Sequence, residues 1–163
     1  MQEARLTLLQ NMPIFGGITR ETLEFLLPSC PVVSIPIHGH FFRENDHGDQ
    51  LFVLEKGQAA VVKSWLGKNH HLQTLNVGDC FGEMAVIDHC RRSATVHALT
   101  ECSAICISAA DLYRIYGHDL KQFALIQMNL GREVSRRLRD ANDRLFQASM
   151  GTPAANIAHV FLA

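Results

Sequence analysis

The chain is 163 residues long, 47% hydrophobic and 19% charged, with a formal net charge of −1. This length accommodates one domain with its own core and leaves too little for a second full one. The near-neutral balance gives no case for nucleic acid as a partner. No apolar run approaches the ~20 residues of a membrane span, and an N-terminus bearing Glu3 and Arg5 does not read as a signal peptide.

From Gln2 to about Leu27 the pattern is helical. Leu6, Leu8 and Leu9 form one apolar stretch, which Pro13-Ile-Phe-Gly-Gly17 breaks. Thr19 then caps a short helix through Glu21, Phe25 and Leu26 that stops before Pro28. Between Cys30 and Ile107 the chain reads as short strands, with apolar β-branched segments at 31–35, 51–54, 59–62, 94–98 and 104–107. Turn signals such as Asp46-His-Gly-Asp49, Glu55-Lys-Gly57, Leu66-Gly-Lys-Asn69 and Val77-Gly-Asp79 punctuate them. Their close spacing predicts an antiparallel barrel or roll.

Ser108-Ala-Ala-Asp111 has the form of a capping box and starts a helix that Gly117 interrupts. A long helix follows from about Leu120 to Phe146, with Arg136/Asp140, Arg139/Asp143 and Asp140/Arg144 at i,i+4. Phe123, Leu130, Val134, Leu138, Ala141 and Leu145 share one stripe, and its last steps approach a heptad seam. That stripe suits packing on the chain's own barrel, a homodimer through the 120–146 helix, or both. The expected fold is α+β: an antiparallel, jelly-roll-like β-roll (30–107) between short N-terminal helices (1–28) and C-terminal helices (108–146). Residues 147–163 read as a linker and the start of a further helix, Ala154–Ala163, capped by Thr152 and Pro153.

The most informative stretch runs from Gly78 to Val96. Gly82 before Glu83-Met-Ala-Val-Ile87 predicts a tight turn opening into one helical turn, whose backbone N–H groups suit an anion. Arg92, four residues after Asp88 and just before the strand pattern Ser93-Ala-Thr-Val96, would return a planar donor to that turn. With the Ser93 hydroxyl, these groups form a phosphate clamp. A carboxylate at Glu83 should repel phosphate. The conflict is resolved if the ligand carries a hydroxyl nearby, as a ribose 2′-OH would be; alternatively Glu83 and Arg92 simply pair with each other.

Phe81-Gly-Glu-Met-Ala85, a loop, then Arg92-Ser-Ala-Thr-Val96 resembles the phosphate-binding cassette of the cyclic nucleotide-binding domain family. Phe42-Arg-Glu-Asn-Asp-His-Gly48, continuing to Gly57, is similar to that family's entry to the roll, and the order of elements matches over most of the chain. The resemblance implies that Arg92 pairs with a cyclic phosphate and Ser93 bonds a phosphate oxygen or the base. It implies that Glu83 accepts the ribose 2′-OH, that the Gly82 backbone lies against the sugar, and that N–H groups of Met84 and Ala85 complete the cradle. Val61 or Val62, with Cys80, would line the apolar wall near the purine. The expected ligand is cAMP, with cGMP the alternative, and no cofactor, metal or catalytic residue is implied. Two departures stand out. Arg91 occupies a place where the family carries Pro or a small residue, and Ala141 and Asn142 fall where the catabolite activator has two hydroxyl residues on the long helix. Asn142 would then be left to read a purine edge.

A rival reading rests on His38-Gly-His40 and Glu44, which reproduce the H-x-H-x3-E spacing of cupin metal enzymes. The preceding glycine and a second motif with a third histidine are absent, so a ligand sensor rather than an enzyme is expected. After Phe146 no Arg or Lys occurs, and no DNA-binding element is expected in these residues, although Thr152–Ala163 resembles the opening of the DNA-binding half of catabolite-activator relatives. The sensor half of a transcription regulator is one form this would take. Five cysteines (Cys30, Cys80, Cys90, Cys102, Cys106), odd in number and without CxxC spacing, fit reduced thiols in the cytoplasm.

Overall fold

A computed structural model describes residues 2–150. The N-terminal helices are α1 (Gln2–Gln10) and α2 (Arg20–Leu26), each followed by a 3-10 turn, Pro13–Phe15 and Leu27–Ser29. Eight strands follow: β1 (Val32–Ile35), β2 (His40–Phe42), β3 (Gln50–Lys56), β4 (Ala59–Trp65), β5 (Lys68–Leu75), β6 (Cys80–Phe81), β7 (Thr95–Ala98) and β8 (Cys102–Ser108). The short helix α3 (Glu83–Asp88) sits between β6 and β7, and α4 (Ala109–His118) and α5 (Leu120–Met150) close the described chain. The strands form two antiparallel four-stranded sheets, ordered β1-β8-β3-β6 and β2-β7-β4-β5.

The sequence pattern explains this arrangement. In β3, Leu51 and Val53 pack against the helices, while Phe52 and Leu54 face the interior of the roll. In β8, Ile105 and Ile107 take the helical side, and Ala104 and Cys106 the other. A strand buried on both faces reads as an unbroken apolar run, which is why 51–54 and 104–107 stand out in the sequence. The helical core gathers Leu9, Phe15, Leu23, Leu26, Leu112, Ile115, Ile126 and Leu130 on the outer face of the first sheet. Asn129 Nδ2 pins α5 to the N-terminal turn by donating to the carbonyls of Ile14 (3.2 Å) and Gly16 (2.9 Å).

The structure adds three strands and moves two boundaries. β5 is polar (Lys-Asn-His-His-Leu-Gln-Thr-Leu), an edge strand that pairs only with β4 and keeps most of its side chains in solvent. It therefore lacks the apolar alternation that marks a strand, and β2 and β6 are too short to show one. Gly117 lies within α4; the break comes at Asp119, whose backbone is extended (φ −149°). The capping box is present, with Ser108 Oγ accepting from the Asp111 N–H and Asp111 Oδ2 accepting from the Ser108 N–H. Helix α5 continues four residues past Phe146, because nothing in Gln147-Ala-Ser-Met150 opposes a helix. Its first half packs on the molecule, whereas Leu138, Leu145, Phe146 and Met150 in its second half are exposed. The expected helix at Ala154–Ala163 lies outside the described residues.

Candidate functional site

Arg92 is held by its own backbone before its side chain turns inward. Its N–H donates to the carbonyl of Asp46 and its carbonyl accepts from the N–H of Asn45, each at 2.9 Å. These bonds zip the 43–49 loop to the approach of β7. Arg92 is 4% exposed. Its guanidinium lies over the ring of Phe42, 4.1 Å from the centroid, and Nη1 donates to the carbonyls of Gln50 (2.8 Å) and Gly82 (2.9 Å). Nε is buried without a partner. No carboxylate pairs with it; burial pushes its pKa down, opposed by the more distant charges of Asp49 and Asp46. A buried cation whose partners are neutral carbonyls and an aromatic face is poised to accept an anion, because an uncompensated buried charge costs about 3–5 kcal/mol.

Glu83 is placed by Gly82, whose left-handed backbone (φ 79°) turns the chain from β6 into α3. Glu83 is 1% exposed. Oε1 accepts from Arg137 Nη1 at 2.8 Å, and Oε2 is buried with no partner. Burial raises its pKa above the ordinary 4.5; Arg137 pulls it down and the nearby Glu133 pushes it up. Arg137 comes from α5 and is held at two further points, by the carbonyl of Cys80 at Nη2 and by Glu133 Oε1 at Nε (3.1 Å). Glu83 and Arg92 therefore do not pair with each other: each leaves one polar atom unfilled.

Both line one cavity of about 700 Å³, between the open edge of the roll, α3 and the middle of α5. Val61, Leu72, Ala94 and Val96 give it an apolar side, and Arg137, Asp140, Ala141 and Arg144 form its helical wall. Arg144 Nη1 ties that wall to the carbonyl of Leu72 on β5 at 3.4 Å. No histidine is among the lining residues, and the Ser93 hydroxyl contacts Met84 Sδ at 3.7 Å, so the described residues show no nucleophile–base pair here. The chemistry on offer is binding: the Arg92 cation, the Glu83 carboxylate acceptor and apolar side chains line one cavity.

Residues 32–119 match the family model for the cyclic nucleotide-binding domain, more than half of the chain. The chain belongs to this family. It is similar to the cyclic AMP receptor protein of Thermus thermophilus, 24% identical over 155 residues, which is 94% of this chain and 70% of the relative. It is also similar to the cAMP-dependent protein kinase regulatory subunit of Schizosaccharomyces pombe, 30% identical over 112 residues, though it spans only 26% of that protein. Among solved structures, the catabolite activator protein of Thermus thermophilus superposes with a TM-score of 0.74 at 26% identity, over 84% of this chain and 63% of that one. A cyclic nucleotide-binding domain from Methylobacillus flagellatus shares the fold with a TM-score of 0.81 at 24% identity, over 93% and 85% of the two chains. The chain is a cyclic nucleotide-binding regulatory domain.

In this cyclic nucleotide-binding domain, eight of the sequence-predicted site residues line this cavity: Gly82, Glu83, Met84, Ala85, Arg92, Ser93, Val61 and Cys80. Two are placed elsewhere. Val62 is absent from the lining, because strand alternation turns Val61 and Lys63 inward and Val62 to the other face. Asn142 is exposed and outside the lining; Ala141 takes the inward position, one residue and about 100° of helical turn away. Arg91 is also outside, exposed and donating to the Asn45 carbonyl. The cupin alternative finds no support. His38 has a left-handed backbone (φ 65°) and precedes β2 rather than sharing it with His40, and Glu44 is taken up by Lys63 and the Ser64 N–H. No group of three or more His, Cys, Asp or Glu among the described residues is placed to hold a metal ion.

Sequence reasoning assigned no role to Arg137, Lys63, Phe42 or Leu72, which line the cavity. Only Leu72 carried a signal, as a lone apolar residue in a polar stretch. The pairing of Arg137 with Glu83 had none, because the two lie 54 residues apart.

Proposed function

We propose that this domain senses cAMP in the cavity between its roll and α5. Arg92 pairs with the cyclic phosphate, assisted by Ser93 and the N–H groups of Met84 and Ala85. Glu83 Oε2 accepts the ribose 2′-OH, with Gly82 against the sugar, and Val61, Leu72 and Cys80 border the purine. The observation that carries this reading is one unfilled buried donor, Arg92 Nε, and one unfilled buried acceptor, Glu83 Oε2, on two side chains lining the same cavity. A sugar–phosphate ring is a ligand that presents an anion and a hydroxyl together. The relatives named for cAMP support adenine over guanine; a cGMP-dependent kinase of Drosophila melanogaster, 33% identical over 84 residues, is why cGMP is the comparison to make.

The ligand acts as a signal and is not turned over. Drawing the 81–96 cassette toward the phosphate repositions α5, which supplies Arg137 and the helical wall, and the segment beyond reads that movement. A second copy pairs along Val134, Leu138, Ala141 and Leu145, of which Leu138 and Leu145 are exposed. The reading extends to the sensor half of a transcription regulator in the cytoplasm, a compartment suited to five free thiols.

Isothermal calorimetry with cAMP and cGMP tests the ligand. Saturable binding, tighter for cAMP, is expected, with the nucleotide recovered intact by chromatography. Failure of both to bind at about millimolar concentration, a standard free energy of about −4 kcal/mol, ends the proposal.

A further inference from the structure

Glu133 is a buried carboxylate at the wall of the ligand cavity whose hydrogen bonds go to two arginines of its own helix. It lies one helical turn before Arg137 on α5, 7% exposed, and its Oε1 accepts from Arg136 Nη2 (2.6 Å) and Arg137 Nε (3.1 Å). Arg137 in turn gives Nη1 to Glu83 Oε1 and Nη2 to the Cys80 carbonyl. Resting on the functional reading above, we propose that Glu133 is the positioning residue that keeps one oxygen of Glu83 free for the ligand, and so sets the pocket's preference for ribose over deoxyribose.

The argument is one of fork geometry. A guanidinium facing a carboxylate alone settles into a bidentate pair, two parallel N–H donors on the two oxygens. Here it does not, because Glu133 holds the Nε edge and the Cys80 carbonyl holds Nη2. Only Nη1 reaches Glu83, and Oε2 stays without a partner. The i,i+4 placement of Glu133 and Arg137 makes them neighbours on one helix face, so this restraint is built within α5 itself. Burial pushes the Glu133 carboxyl pKa up, but its bonds with Arg136 and the charge of Arg137 outweigh this and keep it below the ordinary carboxylate value. Without that charge the guanidinium can rotate onto both Glu83 oxygens and consume the acceptor meant for the ligand.

Calorimetry of the full chain with cAMP and 2′-deoxy-cAMP tests this. The wild type should prefer the ribonucleotide by at least about tenfold, one hydrogen bond to a charged group. Glu133→Gln should bring that ratio to about threefold or less, mainly by losing affinity for cAMP. Glu133→Asp keeps the charge but withdraws it by one methylene and should give an intermediate ratio; it decides the matter if thermal melting shows the glutamine variant unfolded. A merely structural role for Glu133 would weaken both ligands alike. A ratio equal to wild type in the folded variant overturns the inference alone. A wild-type chain that binds neither nucleotide overturns the functional reading and this inference with it.

Discussion

The guanidinium of Arg92 occupies the space that a side chain at Gly48 would need: a Cβ there would stand 2.5 Å from Nε and 2.6 Å from Cζ. A Cβ on Gly82 would stand 2.7 Å from Nη1. The two glycines thus form the walls of the channel that holds the arginine. Gly82 has a left-handed backbone and Gly48 does not, so Gly48 isolates the effect of space from that of strain. Gly48→Ala is expected to push the guanidinium off the carbonyls of Gln50 and Gly82 and weaken cAMP binding roughly tenfold to a hundredfold, the worth of a charge-assisted bond. Calorimetry reads it, and an unchanged affinity would show that Arg92 does not set the phosphate site.

Truncating Arg92 itself should do more. Arg92→Ala is expected to weaken cAMP binding at least about a hundredfold, since the phosphate then enters a buried site without its counter-charge. Arg91→Ala should stay within about threefold, because Arg91 donates to Asn45 in solvent, outside the cavity. A loss for Arg92→Ala of tenfold or less would identify the wrong arginine.

The raised pKa of Glu83 gives two pH effects of opposite sign. Burial makes the folded state hold this proton more tightly than the unfolded chain does, despite the opposing charge of Arg137. Stability from this group is therefore fully present below the ordinary value of 4.5 and lost as pH rises through the folded value. Affinity for the ribose hydroxyl runs the other way, growing as the carboxylate ionises to become an acceptor. Urea unfolding and calorimetry over a pH series from 4.5 upward should show both trends in wild type and neither in Glu83→Gln. Parallel curves for the two proteins would remove Glu83 from the 2′-OH.

If α5 moves with the ligand, protection will appear far from the cassette. Amide hydrogen exchange should slow on adding cAMP both in residues 81–96 and in 134–146, where α5 carries Arg137, Asp140 and Ala141 of the cavity wall. Protection limited to the cassette would leave ligand binding in place and remove the coupling.

The sequence by itself determined the features that depend on near neighbours. The turn at Gly82 needs a left-handed residue next to Glu83, the Ser108–Asp111 box needs two polar side chains three residues apart, and the doubly buried β3 and β8 need continuous apolar runs. Spacing along the chain states each of these, and so the roll, its helices and the Arg92–Glu83 cassette were legible. Tertiary structure decided which atoms of those residues are free. Arg137 meets Glu83 across 54 residues, Ala141 rather than Asn142 faces the cavity, and Val61 rather than Val62 enters it. Those choices rest on how α5 rotates against the roll, fixed by packing of Ile126 and Leu130 against the N-terminal helices, and on the phase of β4, fixed by Ala59 and Val61 packing inside the roll. No local pattern encodes a helix's rotation relative to a sheet that it meets only after folding.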